Sequence, residues 1–354
     1  MTNIISLNVP PRRVRLAERT PALIGCFAQH RRIVDDVFWL KENAELLNIL
    51  ECTGQRVTPD ALAPLAGFYD GLRERLTFFP QYYRFLLSIG LDLEDLGLPG
   101  TQMAGLCDWV ARQGLPEAEL SDLQRAEARR LLARRGIAAQ ADAGLDDRLR
   151  AFIERSATFA LPNKKAAYEL THIVFYLSEY GRRDPDLSDG AIRSLEYAGI
   201  LAYLDQNMDL LAEICVALRQ AGQGPNLLWE AAVRTHLRGY AVAQDSDASL
   251  SDGYHEYLVS LWAVAAMGHD DTGVVVPEGR CVFAPQEPTQ SALHPLSAIL
   301  MSFADARLPS WDQMRDAVLE AMPYEAAEII EGAAAAPLFE PFFETFARAG
   351  TLAR

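Results

Sequence analysis

Five ionisable side chains, spread over three predicted helices, have the types needed to bind a metal or to move a proton. They are Glu169, His172, Asp209, Glu213 and His255. The three segments are 168–180 (YELTHIVFYLSEY), 205–219 (DQNMDLLAEICVALR) and 252–267 (DGYHEYLVSLWAVAAM). Imidazoles and carboxylates bind iron, manganese or zinc, and they also act as general acids and bases. We therefore expect the three helices to bring these side chains into one polar site.

The first segment predicts a central, buried helix. At ~100° per residue, Glu169, His172 and Tyr176 fall in one arc, and aromatic residues flank that arc. A buried glutamate needs a partner and a buried histidine needs hydrogen bonds. The E-x-x-H spacing is the one that helical iron and manganese carboxylate sites use. We predict that His172 is a metal ligand and that Glu169 and Tyr176 are catalytic groups.

The second segment carries an acidic stripe. Asp205, Asp209 and Glu213 recur every four residues, and no lysine or arginine follows until Arg219. Like charges at this spacing repel, so a metal or an arginine from another helix would stabilise them. The helix dipole explains Asp205 and Asp209 equally well, because both would lie near the helix start. We predict Asp209 as a metal ligand and Glu213 as a further ligand or a general base.

In the third segment, Asp252 is expected to cap the helix and His255 to lie in its first turn. The positive end of the helix dipole disfavours a charged imidazole, so we expect His255 to be neutral and able to bind a metal. The sequence then predicts a metal held by His172, Asp209 and His255, without choosing among iron, manganese and zinc. A metal-free pocket and a purely structural polar network built from the same residues remain open.

Composition and charge exclude several classes of partner. The chain has 354 residues, of which 50% are hydrophobic, and its formal net charge is −15. That charge argues against binding to nucleic acid or to an anionic membrane surface. Segment 1–11 has no apolar signal-peptide core, and no run approaches the ~18 apolar residues of a membrane span. The five cysteines form no C-x-x-C pair, so we expect a cytoplasmic protein with reduced thiols.

The fold class predicted from the chain is all-α. Helical patterns follow one another and end at glycines such as Gly54, Gly90 and Gly114, as helix C-termini do. At most one short β-hairpin is expected, in segment 273–285 (GVVVPEGRCVFAP). We predict a helical-pair toroid or a multi-helix array forming one domain, 1–354. A boundary at 138–145 would divide it into an N-terminal part, 1–142, and a C-terminal part with the site, 143–354.

The three segments also carry a resemblance. The runs LTHIVFYLSEYG at 170–181, DLLAE at 209–213 and DGYHEYLVSLWA at 252–263 resemble a group of bacterial proteins of unknown function. The succession is also similar to the α/α toroids of terpene cyclases, although the acidic D-x-D-D motif of those enzymes is absent. The toroid resemblance implies that the three segments are inner helices facing one cavity, and it implies no reaction.

Two classes of function fit these features. The first is an enzyme with a His/carboxylate site, with or without a metal, that acts on a small molecule or a peptide in a helical cavity. The second is a helical scaffold or partner-binding protein, monomeric or homo-oligomeric, in which the polar residues only stabilise the core. The chain has no Walker A loop and no G-x-G-x-x-G, G-x-S-x-G or H-E-x-x-H motif, so most nucleotide-binding and hydrolase families lack support.

Overall fold

A computed structural model describes residues 13–34, 36–138, 142–245, 251–269, 273–285 and 290–349. The predicted segment 1–11 and part of the predicted boundary, residues 139–141, lie outside these ranges. The described residues form α1 (Leu16–Gly25), α2 (Val37–Cys52), α3 (Pro59–Asp70), α4 (Leu72–Phe78), α5 (Tyr83–Asp95), α6 (Met103–Arg112), α7 (Asp122–Ala133), α8 (Leu145–Ile153), α9 (Ser156–Phe159), α10 (Lys164–Leu177), α11 (Asp189–Leu204), α12 (Met208–Gln220), α13 (Leu227–Gly239), α14 (Tyr254–Ala266), α15 (Leu293–Ser302), α16 (Trp311–Ala321), α17 (Tyr324–Ala334) and α18 (Phe339–Ala347). The prediction of an all-α fold is confirmed. Within the described ranges, no helix combines the length and the apolar character needed to cross a membrane.

The β-structure consists of two small antiparallel ladders. The strands are β1 (Arg13–Val14), β2 (Ala241–Gln244), β3 (Gly273–Val274) and β4 (Cys281–Ala284). Strand β1 pairs with β3, and β2 pairs with β4. The predicted hairpin in 273–285 is therefore wrong in its pairing, although both of its runs are strands. The residue pattern marked strand propensity, but the partners come from distant segments that the pattern does not reveal.

Helix α12 occupies a central position. It packs against α10, α11, α13 and α14. Every residue from Met208 to Leu218 except Asp209 is buried, which is the pattern of a helix enclosed on nearly every side. The side chain of Asn207 caps its start by accepting a hydrogen bond from the Leu210 amide at 3.2 Å. Of the two acids that α12 carries, Glu213 is thus buried and Asp209 is partly exposed.

The observed start of α12 corrects the predicted acidic stripe. Because the helix begins at Met208, Asp205 lies outside it, at the C-cap of α11. Its carboxylate pairs with Lys164 at 2.8 Å and accepts a hydrogen bond from Ser291 at 3.0 Å. Only Asp209 and Glu213 therefore share a face of α12, one turn apart.

A buried arginine fixes the start of α14. The Arg31 guanidinium donates to Glu42 of α2 at 2.9 Å, to both carboxylate oxygens of Asp252 and to the Cys281 carbonyl of β4. Asp252 also accepts a hydrogen bond from the Phe283 amide at 2.9 Å. The expected capping role of Asp252 is therefore wrong: Gly253 occupies the N-cap position of α14, with no side-chain cap. The carboxylate is instead engaged by the arginine.

Candidate functional site

The three predicted helices line one cavity together with α2, α5 and α7. The cavity has a volume of about 170 Å³, enough for several waters or a small molecule. Its polar lining consists of Glu45, Asn48, Ser88, Glu127, Arg130, His172, Glu213 and His255. Its aromatic lining consists of Phe85, Phe175, Tyr176, Tyr180 and Trp262. We call the part around the two histidines the histidine end, and the part around Arg130 the arginine end.

At the histidine end, His255 of α14 is joined to Asp209 of α12. The His255 Nδ1 lies 2.9 Å and 3.1 Å from the two Asp209 carboxylate oxygens. Burial alone would lower the pKa of His255. The hydrogen bond to Asp209 and the charges of Glu45, Asp209 and Glu213 have the larger, opposite effect, and they raise the pKa to about 9. The expectation of a neutral His255 is therefore wrong, because the neighbouring carboxylates outweigh the helix dipole.

Glu213 lies one turn further along α12 and links the two histidines. Its side chain is only 3% exposed. It accepts a hydrogen bond of 2.6 Å from the Thr171 hydroxyl, and its carboxylate lies 3.7 Å from the His172 Nδ1. Burial raises the pKa of Glu213, and the charges of His172 and His255 oppose that effect. A buried carboxylate flanked by two imidazoles can hold a proton or a cation.

The ring of His172 is oriented by its own helix. Its Nδ1 lies 2.7 Å from the Tyr168 carbonyl oxygen. A backbone carbonyl can only accept, so Nδ1 carries a proton. Histidines that ligate metals are held in this way, with the second ring nitrogen donating to a carbonyl or a carboxylate. The Tyr168 hydroxyl itself donates to Asp209 at 3.2 Å.

Three of these groups are spaced closely enough to share a cation. Asp209, Glu213 and His255 each offer one ligand atom, and these atoms all lie within 4.8 Å of one another. Zinc and iron bind such atoms at ~2.0–2.2 Å, so bound ligand atoms stand ~3–3.5 Å apart. Small side-chain movements close the difference. His172 stands beside this group through its contact with Glu213.

Sequence reasoning missed Glu45 of α2. Its carboxylate lies 3.7 Å from the His255 Nε2, on the other side of the ring from Asp209. The Tyr254 hydroxyl donates to it at 3.1 Å. In the sequence, Glu45 is one of several acids in an ordinary helical pattern, and it is more than 200 positions from His255. No local signal marks it, because the contact depends on how α2 packs on α14.

The other two predicted catalytic residues lie in different places. Glu169 is half-buried on α10 and is not among the described residues that line the cavity. Tyr176 does line it, with its ring 6.2 Å from the His172 ring. Burial raises the pKa of Tyr176 well above its ordinary value, so the phenol is a hydrogen-bond donor at neutral pH.

One protein family matches almost the whole chain. No curated protein and no solved structure shows a significant match to the chain. Residues 1–349 match the model of one protein family, described as a domain of unknown function, DUF6902. The match spans α1 to α18 and includes every residue of the cavity. The chain therefore belongs to the DUF6902 family.

Proposed function

We propose that the chain is an enzyme that acts on a small molecule in this cavity, and that a divalent transition metal bound at the histidine end takes part. Asp209, Glu213 and His255 are the proposed ligands. The observation that carries the proposal is that their three ligand atoms lie within 4.8 Å of one another beside the cavity. Mixed imidazole and carboxylate ligation suits iron, manganese or zinc.

The charge at this end supports a cation. Three carboxylates, from Glu45, Asp209 and Glu213, surround His255, and a buried carboxylate is costly without a compensating positive charge. In the geometry described above, a proton on His255 supplies that charge. A divalent ion would replace the proton and neutralise the carboxylates more fully. The hydrogen bond from Thr171 and the orientation of His172 would remain around it as supporting contacts.

The shape of the cavity supports a small molecule over a peptide. Its volume of about 170 Å³ accommodates a compact ligand, and aromatic side chains form its walls. Side chains of α10, α12 and α14 line the cavity, so residues from three helices can contact one ligand. When bound, the metal would act as a Lewis acid or activate a water. His172 and the Tyr176 phenol would then hold or donate protons to the reacting molecule.

A metal-free enzyme is a second candidate, and the contact between Asp209 and His255 favours it. A carboxylate that accepts from one nitrogen of an imidazole fixes the ring and leaves the other nitrogen free to exchange protons. Here the His255 Nε2 lies 3.7 Å from the Glu45 carboxylate, and both residues line the cavity. His255 would then be the acid–base group, Asp209 would orient it, and no metal would be needed.

Thermal unfolding with added metals separates the two candidates. We expect Mn²⁺, Fe²⁺ or Zn²⁺ at about 100 times its dissociation constant to raise the free energy of unfolding by ~2.7 kcal/mol. Asp209→Asn and His255→Ala should abolish the effect. His294→Ala removes an exposed histidine of α15 and should preserve it. Equal responses in all four proteins, or none in the wild type, would contradict the metal site.

A further inference from the structure

The arginine end of the cavity contains a buried guanidinium that forms no salt bridge with any of the described residues. Arg130 of α7 is only 7% exposed, and its side chain lines the cavity. Its Nε is enclosed and has no hydrogen-bond partner. Among the described residues, no carboxylate lies within ion-pair distance of the guanidinium. The neighbouring Glu127 is paired with Arg84 instead.

Aromatic contacts hold this guanidinium in place. Its central carbon lies 4.6 Å from the centre of the Tyr180 ring and 5.9 Å from that of Tyr176. The Tyr180 ring in turn stacks on Trp262, with centroids 5.8 Å apart and planes inclined by 28°. Stacking occupies a face of the guanidinium and leaves its two Nη groups available, since only Nε is enclosed. The edge that these groups form is the part of an arginine that binds a planar carboxylate with two parallel hydrogen bonds.

The backbone at Tyr180 has an unusual conformation that positions its ring. Glu179 and Tyr180 both have positive φ, at 50° and 56°, just beyond the end of α10. A bulky residue rarely adopts this conformation, which is unfavourable without compensation from its surroundings. It places the Tyr180 ring between Trp262 and Arg130. The strained backbone therefore occurs at the residue whose ring packs on Arg130.

We propose that Arg130 binds the carboxylate of a compact aromatic or otherwise planar substrate. An anion would pair with the buried guanidinium, whereas the histidine end disfavours one even with a divalent ion bound, because the three carboxylates of Glu45, Asp209 and Glu213 outnumber the two charges of the ion. The aromatic walls fit a flat molecular body between the two ends. This inference rests on the proposed function in one respect, namely that the reaction occurs in this cavity.

The two ends then fix the orientation of the substrate. The Tyr176 ring stands between them, 5.9 Å from the Arg130 guanidinium carbon and 6.2 Å from the His172 ring. A molecule held by its carboxylate at Arg130 would direct its opposite side toward His172 and His255. A neutral or cationic group fits that side, where the carboxylates lie.

Binding of benzoate, measured by isothermal titration calorimetry, tests the proposal. Benzamide has nearly the same shape without the charge, and phenyl phosphate carries a tetrahedral anion. We expect the wild type to bind benzoate more tightly than benzamide or phenyl phosphate. Arg130→Met should weaken benzoate binding ~10- to 100-fold, the size expected for charge-assisted hydrogen bonds. Arg130→Lys should restore part of it, since it restores the charge without the planar fork.

Arg193→Met, at an exposed arginine of α11, is the matched control and should bind like the wild type. Benzoate binding that is equal in the wild type and Arg130→Met overturns the proposal, as does a wild type that fails to distinguish benzoate from benzamide. A preference for phenyl phosphate overturns the carboxylate assignment. Circular dichroism of each variant establishes that it is folded.

Metal titrations of the same proteins separate this inference from the proposed function. Arg130→Met should keep the metal affinity of the wild type, and His255→Ala should keep its benzoate affinity. If no metal binds but benzoate binding still depends on Arg130, the metal proposal fails and the carboxylate subsite stands. If metal binds but benzoate binding depends on His255 and not on Arg130, the reverse holds.

Discussion

Two regions of the molecule bury charged side chains next to α14, and they do so differently. In the cluster around Arg31, the guanidinium donates to Glu42, Asp252 and the Cys281 carbonyl, and the rings of Phe27, Tyr254 and Phe283 surround it at 5.1–5.3 Å. Around the cavity, three carboxylates lie near His255, while no carboxylate of the described residues lies within ion-pair distance of Arg130. In the first region each charged side chain has an oppositely charged partner, so that region stabilises the fold. The second region leaves three carboxylates around one imidazole at one end and a guanidinium without a salt bridge at the other, which is the arrangement expected of a site for a ligand.

The largest expected effect on stability is at the closed cluster. Arg31→Met should lower the free energy of unfolding by ~3–5 kcal/mol, because it leaves Asp252 buried beside an apolar group and leaves Glu42 with Arg32 as its remaining cation. Urea denaturation measures the loss. Arg193→Met, on the exposed face of α11, should change the free energy by no more than ~0.5 kcal/mol. An Arg31→Met protein as stable as the wild type would remove the contrast between the two regions.

At the histidine end, the expected effect falls on binding more than on stability. His255→Ala should lower metal affinity by at least ~100-fold, more than the loss of an outer-shell contact causes. Without metal it should change the free energy of unfolding by only ~1 kcal/mol, since the ring and the carboxylates of Asp209 and Glu45 are partly exposed. Calorimetric metal titration measures the affinity, and urea denaturation measures the free energy of unfolding. A large loss of stability with unchanged metal binding would show that His255 has a structural role and is not a metal ligand.

Thr171 offers an intermediate case, because it supports a site residue from within the core. Thr171→Val keeps the shape of the side chain but removes the hydroxyl that donates to Glu213 at 2.6 Å. We expect a loss of ~1–2 kcal/mol from the unsatisfied carboxylate and a ~10-fold loss of metal affinity. Thr171→Ser retains the hydroxyl and should retain the affinity. If the serine and valine variants bind metal equally well, the hydroxyl does not position Glu213.

The smallest expected effect concerns Asp95, which lies outside both regions and forms salt bridges with Arg134 and Arg135. Burial raises the pKa of Asp95, but hydrogen bonds from Arg134 and Arg135 lower it below the ordinary value. The contribution of Asp95 to stability is therefore complete above the ordinary carboxyl pKa and is lost as the pH falls through the lowered one. Asp95→Asn should make stability less dependent on pH in that acidic window, by less than ~1 kcal/mol. Melting temperatures measured from pH 6 to pH 2 would reveal no difference if these salt bridges contribute nothing.

Local patterns were sufficient for the helices and for part of the site. Apolar periodicity predicted a helical chain, and Gly54 and Gly114 follow the ends of α2 and α6, but Gly90 lies inside α5 and not at a helix end. The aromatic residues around His172 indicated that α10 is buried. The same helical spacing placed Asp209 and Glu213 on one face of α12. These features depend on residues close together in sequence, where helix geometry fixes the distances.

Contacts between distant segments were not accessible in this way. Glu45 and Arg130 reach the cavity from α2 and α7, and nothing near them in the sequence marks them as different from surface charges. The charge state of His255 was predicted wrongly because the dipole of its own helix was considered without the carboxylates of α2 and α12. Similarly, Arg31 is one of three basic residues in the run HRR at 30–32, and nothing nearby indicates that it is buried. Its partner Asp252 lies more than 200 positions away.

The most direct test of the central claim is anomalous diffraction from a crystal soaked in Mn²⁺ or Zn²⁺, recorded at the absorption edge of the metal. The account predicts one strong peak at the histidine end, ~2.0–2.2 Å from atoms of Asp209, Glu213 and His255. The peak should be absent from crystals of Asp209→Asn soaked in the same way. A wild-type crystal with no peak in the cavity, or with peaks only at exposed carboxylates, would contradict the metal site.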